Sequence, residues 1–155
     1  MQEQHELGPA EMATWSSLMA VVLWLPGALD GALKTQGLSH HEFQILWWLS
    51  LSETGTCTMG DLAGNASVTP SHLSRIAARL ESRGWIVRRP DPSDARFTLA
   101  SLTEEGGRKV AECTPGYYAT VREHLFSRLS PDQAQQLGVI TGQILHSLNP
   151  ACGPR

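Results

Sequence analysis

The chain has 155 residues, 41% of them hydrophobic and 17% charged, with a formal net charge of -3. That length and composition suit one globular domain, with or without an accessory helical part, and exclude an intrinsically disordered chain. The charge is uneven: between Arg75 and Arg96 six arginines face three acids, a balance of +3 that leaves -6 elsewhere, and such a cationic patch suits either a phosphate backbone or a solvated, salt-bridged surface.

Met1 to Leu7 holds two glutamates and no Lys or Arg, so no secretory leader is expected. The first helical stretch runs from about Ala10 to Lys34. Its apolar run Leu18 to Leu25 is too short to span a bilayer and predicts a helix buried on most faces. Pro26-Gly27 is expected to interrupt or kink it. Ser39, with Glu42 three residues on, is a capping box. It opens a helix to about Leu51 expected to bury Phe43, Leu46, Trp47 and Ser50 or nearby positions. Adjacent residues on a helix point about 100° apart, so at least one of Trp47 and Trp48 meets a different partner.

Ser52 to Thr56 reads as a polar loop, and Thr58 caps a short helix, Met59 to Ala66, with Met59, Leu62, Ala63 and Ala66 on one face. Thr69 as N-cap and Pro70 at the first helical position start a helix that reaches about Arg83 and stops at Gly84. Its apolar stripe is Leu73, Ile76, Ala77 and Leu80, spaced i, i+3, i+4, i+7. The opposite face carries Ser71, His72, Ser74, Arg75, Ala78 and Arg79. Trp85 to Arg89 and Arg96 to Ser101 read as two short strands around the turn Pro90 to Asp94, a hairpin. Thr103 with Glu104 and Glu105 starts another helix. Pro115-Gly116 is expected to interrupt it, and Tyr117 to Leu129 to resume it. Ser130-Pro131-Asp132-Gln133 opens a last helix to about Leu148, and Asn149 to Arg155 is expected to fray.

Helix, short helix, turn, helix, hairpin, helix is the order of a winged helix-turn-helix. A helix with one face buried and small polar or basic residues on the other can enter a DNA major groove. Thr69, Ser71, His72, Ser74, Arg75 and Arg79 are therefore candidate DNA contacts. Arg75 is placed to bond O6 and N7 of a guanine, which is worth roughly 1–3 kcal/mol of discrimination. Arg88, Arg89 and Arg96 of the hairpin suit phosphates or the minor groove, although strand alternation sends Arg88 and Arg89 to opposite faces.

Leu38 to Gly106 resembles the multiple-antibiotic-resistance regulator (MarR) family. The resemblance is carried by Ser74-Arg75, Leu80-Glu81-x-Arg83-Gly84, Arg88-Arg89-Pro90-Asp91-Pro92-x-Asp94-x-Arg96 and Leu102-Thr103-Glu104-Glu105-Gly106. The flanks agree: a first helix bearing Trp15, then Pro26, Pro115-Gly116, Leu125-Phe126 and Leu129-Ser130-Pro131. The chain departs from the family at Ser67, a turn position often filled by Gly. The resemblance implies a mainly α fold with a small β-hairpin wing. Residues 1–37 would be a dimerisation helix, 38–102 the winged helix-turn-helix lobe, 103–149 further dimerisation helices and 150–155 a tail. It implies a homodimeric transcriptional repressor on an inverted-repeat operator, released by a small aromatic effector. Asp94 and Arg96 fall on the wing's Asp-x-Arg motif, Asp94 being expected to orient a neighbouring arginine. Trp15, His41, Trp47, Tyr117 and Tyr118 are candidate effector contacts, with Tyr117 or Tyr118 favoured as a wall beside a broken helix. Trp24 and Trp48 lie on the same helices.

His40-His41-Glu42 reads as helix-start residues facing solvent or a pocket rather than a metal cluster. Cys57, Cys113 and Cys152 are an odd number and far apart, which favours a reducing cytosol over a disulfide framework. Cys113 is expected to be a buried thiol. A redox-responsive regulator of the same fold and a protein-binding winged helix are the alternatives, with a DNA-coating architectural protein behind them. No Gly-rich phosphate loop, nucleophile elbow or paired metal ligands suggest an enzyme, a cofactor or a metal.

Overall fold

The computed structural model describes residues 6–148, so Cys152 and the expected frayed tail lie outside the described residues. The elements are α1 Pro9–Lys34, α2 His40–Leu51, β1 Thr56–Thr58, α3 Met59–Asn65, α4 Pro70–Ser82, β2 Ile86–Pro90, β3 Thr98–Leu102, α5 Glu104–His124, a 3-10 turn Phe126–Arg128 and α6 Pro131–Leu148. The fold is mainly helical with one small antiparallel sheet of order β1-β3-β2.

Local signals place most helix starts. Ser39 accepts the Glu42 N–H while the Glu42 carboxylate accepts the Ser39 N–H. Thr58, Thr69 and Thr103 cap α3, α4 and α5 through their side chains. Three helix ends are closed by residues in the left-handed region, the first after α1, where the Gly37 (φ +71) N–H reaches the Lys34 carbonyl and the Leu38 N–H reaches Leu33. After α4, Gly84 (φ +73) lets its N–H reach the Glu81 carbonyl and lets the Trp85 N–H reach Leu80. After α3 the same pair of bonds runs from Ser67 to Gly64 and from Val68 to Ala63, with Ser67 at φ +52. The turn thus keeps the glycine geometry with a serine in it, against the steric preference of a side chain.

The core sits in the lobe. Phe43, Ile45, Leu46 and Leu49 of α2 meet Leu62 of α3, Leu73, Ile76, Ala77 and Leu80 of α4, Ile86 and Ala100 of the sheet, Leu33 of α1 and Val110 and Cys113 of α5. The last turns of α1 and the first turns of α5 therefore belong to the same core as the winged lobe.

Several expectations are corrected. α1 runs unbroken through Pro26, and α5 through Pro115; each proline withdraws a single N–H from its helix, and neither ends it. Unbroken, α1 is long and apolar enough to cross a membrane by length and composition alone. The stretch Leu18 to Leu25 is not enclosed by its own chain, for Leu23 and Trp24 are 73% and 75% exposed. α2 buries Glu42, Ile45 and Leu49 with Phe43 and Leu46, whereas Ser50 is exposed and Trp47 half-buried. His40 and Glu42 face the interior, not solvent. The expected loop before α3 ends in β1, which pairs Thr56, Cys57 and Thr58 with Ser101, Ala100 and Leu99, so the hairpin is part of a three-stranded sheet. α5 stops at His124, short of Leu129.

Candidate nucleic-acid interface

Burial of its apolar stripe turns the other face of α4 outward. Ser71, Ser74, Arg75, Ala78 and Arg79 are exposed, and His72 is half-buried. Thr69 spends its hydroxyl on the cap, accepting the His72 N–H at 3.3 Å. The His72 ring lies against His41, with ring centres 5.3 Å apart.

The arginines fall into two groups. Arg79 and Arg88 are tied down within the lobe. The Arg79 Nε donates to Glu42 Oε1 at 2.9 Å, and Arg83 donates to the Gly37 carbonyl with Glu42 4.0 Å away. Burial pushes the Glu42 carboxyl up, but the Ser39 N–H and the two guanidiniums outweigh it and hold it below the ordinary range. Arg88 donates from Nε and Nη2 to Glu81 Oε2, and its backbone N–H donates to Oε1. Glu81 thereby fastens β2 to the last turn of α4, and the bonds from Arg88 depress its carboxyl. Arg75 and Arg89 are exposed and make no ion pair or side-chain hydrogen bond among the described residues, as alternation along β2 requires for Arg89.

Arg96 stands between the two groups. Its Nε and Nη2 donate to the Asp94 carboxylate at 2.9 and 2.6 Å, yet its side chain is 85% exposed. Asp94 holds the guanidinium extended from the wing without burying it, and the pairing depresses the Asp94 carboxyl. Three open cations, Arg75, Arg89 and Arg96, thus remain on the helix and wing. Sequence reading missed the partners Glu42 and Glu81. Glu42 read as a cap and as one of the helix-start residues facing solvent or a pocket, and Glu81 meets Arg88 only because Gly84 reverses the chain between them.

A scan of family models matches residues 38–98 to the MarR family. Sco3205 of Streptomyces coelicolor, a MarR family transcriptional regulator solved in complex with DNA, is 34% identical, with 97% of this chain and 94% of that one superposed at a TM-score of 0.88. The chain belongs to the MarR family. Among curated relatives of this MarR protein, the transcriptional repressor MprA of Escherichia coli is 32% identical over 117 residues. That match spans 76% of the chain and 66% of MprA, a little under two thirds of the repressor's length. CouR of Rhodococcus jostii, solved bound to p-coumaroyl-CoA, is 26% identical, covering 83% of this chain and 88% of CouR at a TM-score of 0.73.

The aromatic candidates of this MarR protein separate in space. Tyr117 packs into the lobe: its ring lies 4.5 Å from Phe43 and is stacked on His40, and its hydroxyl meets His40 Nδ1 at 3.3 Å. Burial pushes that hydroxyl up to about 12, with Tyr118 adding to the effect. Trp47 donates from Nε1 to the Tyr118 hydroxyl at 3.0 Å and packs edge-on against Trp48. His41 bridges His40 and His72. Trp15 is not with them; it lines a shallow apolar hollow with Leu7, Ala10, Thr14 and Leu18. Because α5 is continuous at Pro115, no broken helix supplies the expected pocket wall. Burial pushes the Cys57 and Cys113 thiols up, away from the thiolate that oxidation needs.

Proposed function

We propose that this protein is a repressor that binds duplex DNA as a homodimer, recognises an inverted repeat and is released by a small molecule. The observation that carries the DNA reading is the exposed surface on which Ser74 and Arg75 of α4 stand free, beside Ser71 with its hydroxyl 3.3 Å from that of Thr69, while Asp94 holds Arg96 outstretched on the wing. Arg75 and Ser74 are assigned to base edges, and Arg89 and Arg96 to the backbone or minor groove. Arg79 and Arg88, engaged by Glu42 and Glu81, are assigned to holding the helix and wing in register.

Pairing of two chains is supported by what a single chain leaves uncovered. α6 buries none of its residues, and Val139, Ile140, Ile144 and Leu148 are exposed, as is the apolar stretch of α1. An amphipathic helix owes most of its stability to packing, so the uncovered stretches of α1 and α6 are assigned to a dimer interface and 38–102 to DNA, with the end of α1 and the start of α5 joining the two through the lobe's core. DNA-bound Sco3205 and ligand-bound CouR support the two ends of the cycle. The unliganded lobes match the operator, and an effector that prefers another lobe arrangement lowers affinity. The Trp47–Tyr118 and His41 region, between α2 and α5, is the assigned effector site. As a transcriptional regulator that acts on DNA, the protein works in the cytoplasm.

Fluorescence-anisotropy titration with duplexes from the protein's own promoter tests this reading. An inverted repeat should be preferred over scrambled DNA at moderate salt. Arg96→Ala should flatten the dependence of log affinity on log salt by about 0.9 for each phosphate that the protein no longer neutralises. Equal binding of both duplexes would overturn it.

A further inference from the structure

The wing carries a side chain that its charges do not explain. Phe97 follows Arg96 and is 52% exposed. Its ring has no aromatic partner among the described residues and is not packed against the core. The exposure is not that of a loose tip, because the backbone is held from both sides. The Asp91 N–H donates to the Phe97 carbonyl at 2.9 Å, and the Phe97 N–H donates to the Asp94 carbonyl at 3.0 Å. Phe97 lines a hollow of about 290 Å³ between the wing, α4 and the start of α3, whose other walls include Ser74, Thr98, Arg88, Arg96, Thr58 and Met59.

A phenyl ring next to the exposed Arg96 guanidinium and the Ser74 and Thr98 hydroxyls is complementary to a partner that alternates apolar and anionic groups at short range. The sugar–phosphate backbone of DNA does so: each deoxyribose presents a C–H face beside its phosphate. We infer that Phe97 is a DNA-contacting residue, its ring seated on a deoxyribose of the strand whose phosphate Arg96 holds. The inference rests on the DNA reading above and adds an apolar surface to an interface otherwise built from cations and hydroxyls. It also accounts for the hollow, which receives that one sugar–phosphate unit.

Apolar burial and counterion release respond differently to salt, which separates this role from a structural one. Full-length protein with Phe97→Ala and Phe97→Leu is titrated with the operator duplex from about 50 to 200 mM salt. Covering the open half of a phenyl ring predicts that Phe97→Ala weakens binding about fivefold per lobe, about 25-fold for two lobes. The weakening should be the same at every salt concentration, Phe97→Leu should recover most of the affinity, and the melting temperature should hold, since the ring supports no part of the core. Wild-type affinity in Phe97→Ala would overturn the inference and leave the regulator reading intact. A flatter salt dependence would also overturn it, by showing that the ring acts through the placement of Arg96. Failure of the wild-type protein to prefer its operator would overturn the function proposed above, and the role of Phe97 with it.

Discussion

Gly106 and Gly107 are neighbours in the first turns of α5, and alanine at the two positions should shift stability in opposite directions. Helix propensity alone favours alanine at both by about 1 kcal/mol. At Gly106, however, an added Cβ would stand 2.1 Å from the Trp85 carbonyl oxygen and 2.9 Å from Leu102 Cδ1. The carbonyl would have to retreat by about an ångström, which is rigid backbone motion, and it already accepts the Thr103 N–H at 3.1 Å. Overpacking of about 1–3 kcal/mol and the weakened hydrogen bond of about 1 kcal/mol exceed the propensity gain of about 1 kcal/mol, so Gly106→Ala should destabilise the fold by about 1–3 kcal/mol. At Gly107 the nearest atom is Leu102 Cδ2 at 3.9 Å, an ordinary van der Waals distance. Gly107→Ala should therefore gain about 0.5–1 kcal/mol. Urea unfolding followed by circular dichroism, at one fixed chain concentration because association shifts the midpoint, compares the two. A Gly106→Ala midpoint at or above wild type would refute the claim that close docking of α5 on the base of the wing sets this residue.

Other expectations follow from the same reasoning. Ser67 sits at φ +52 where Gly84 occupies the equivalent place after α4, so Ser67→Gly should raise stability by about 0.5–1 kcal/mol and Gly84→Ala lower it by about 1 kcal/mol; thermal melts that rank them otherwise would remove the strain argument. Burial, and then His41, lower the affinity of His40 for a proton against the pull of Asp30, and the Tyr117 hydroxyl faces the same ring. The unfolded chain then binds the proton more tightly, so this stability is complete above the ordinary value of 6.5 and declines as pH falls from there towards the lowered folded value. His40→Gln should flatten the fall in melting temperature over that window, and an unchanged slope would count against it.

The parts of this molecule written locally were legible in the residues. Ser39, Thr58, Thr69 and Thr103 cap their helices because a cap involves only the next three positions, and the stripe Leu73, Ile76, Ala77, Leu80 states its buried face through spacing alone. Once α4 was oriented, the exposure of Ser71, Ser74 and Arg75 followed. β1 was illegible because three residues become a strand only when β3 lies beside them. Pro26 and Pro115 marked helix breaks by local rule, yet each helix is carried across its proline by the turns on either side and by the packing of α1 against α5. Most of all, an arginine's sequence position does not say where its guanidinium goes. Asp94 was legible as a partner for an arginine beside it, but only the folded arrangement put Glu42 within reach of Arg79 and Glu81 within reach of Arg88 and so determined which cations stay open, because ion pairing depends on distance in space.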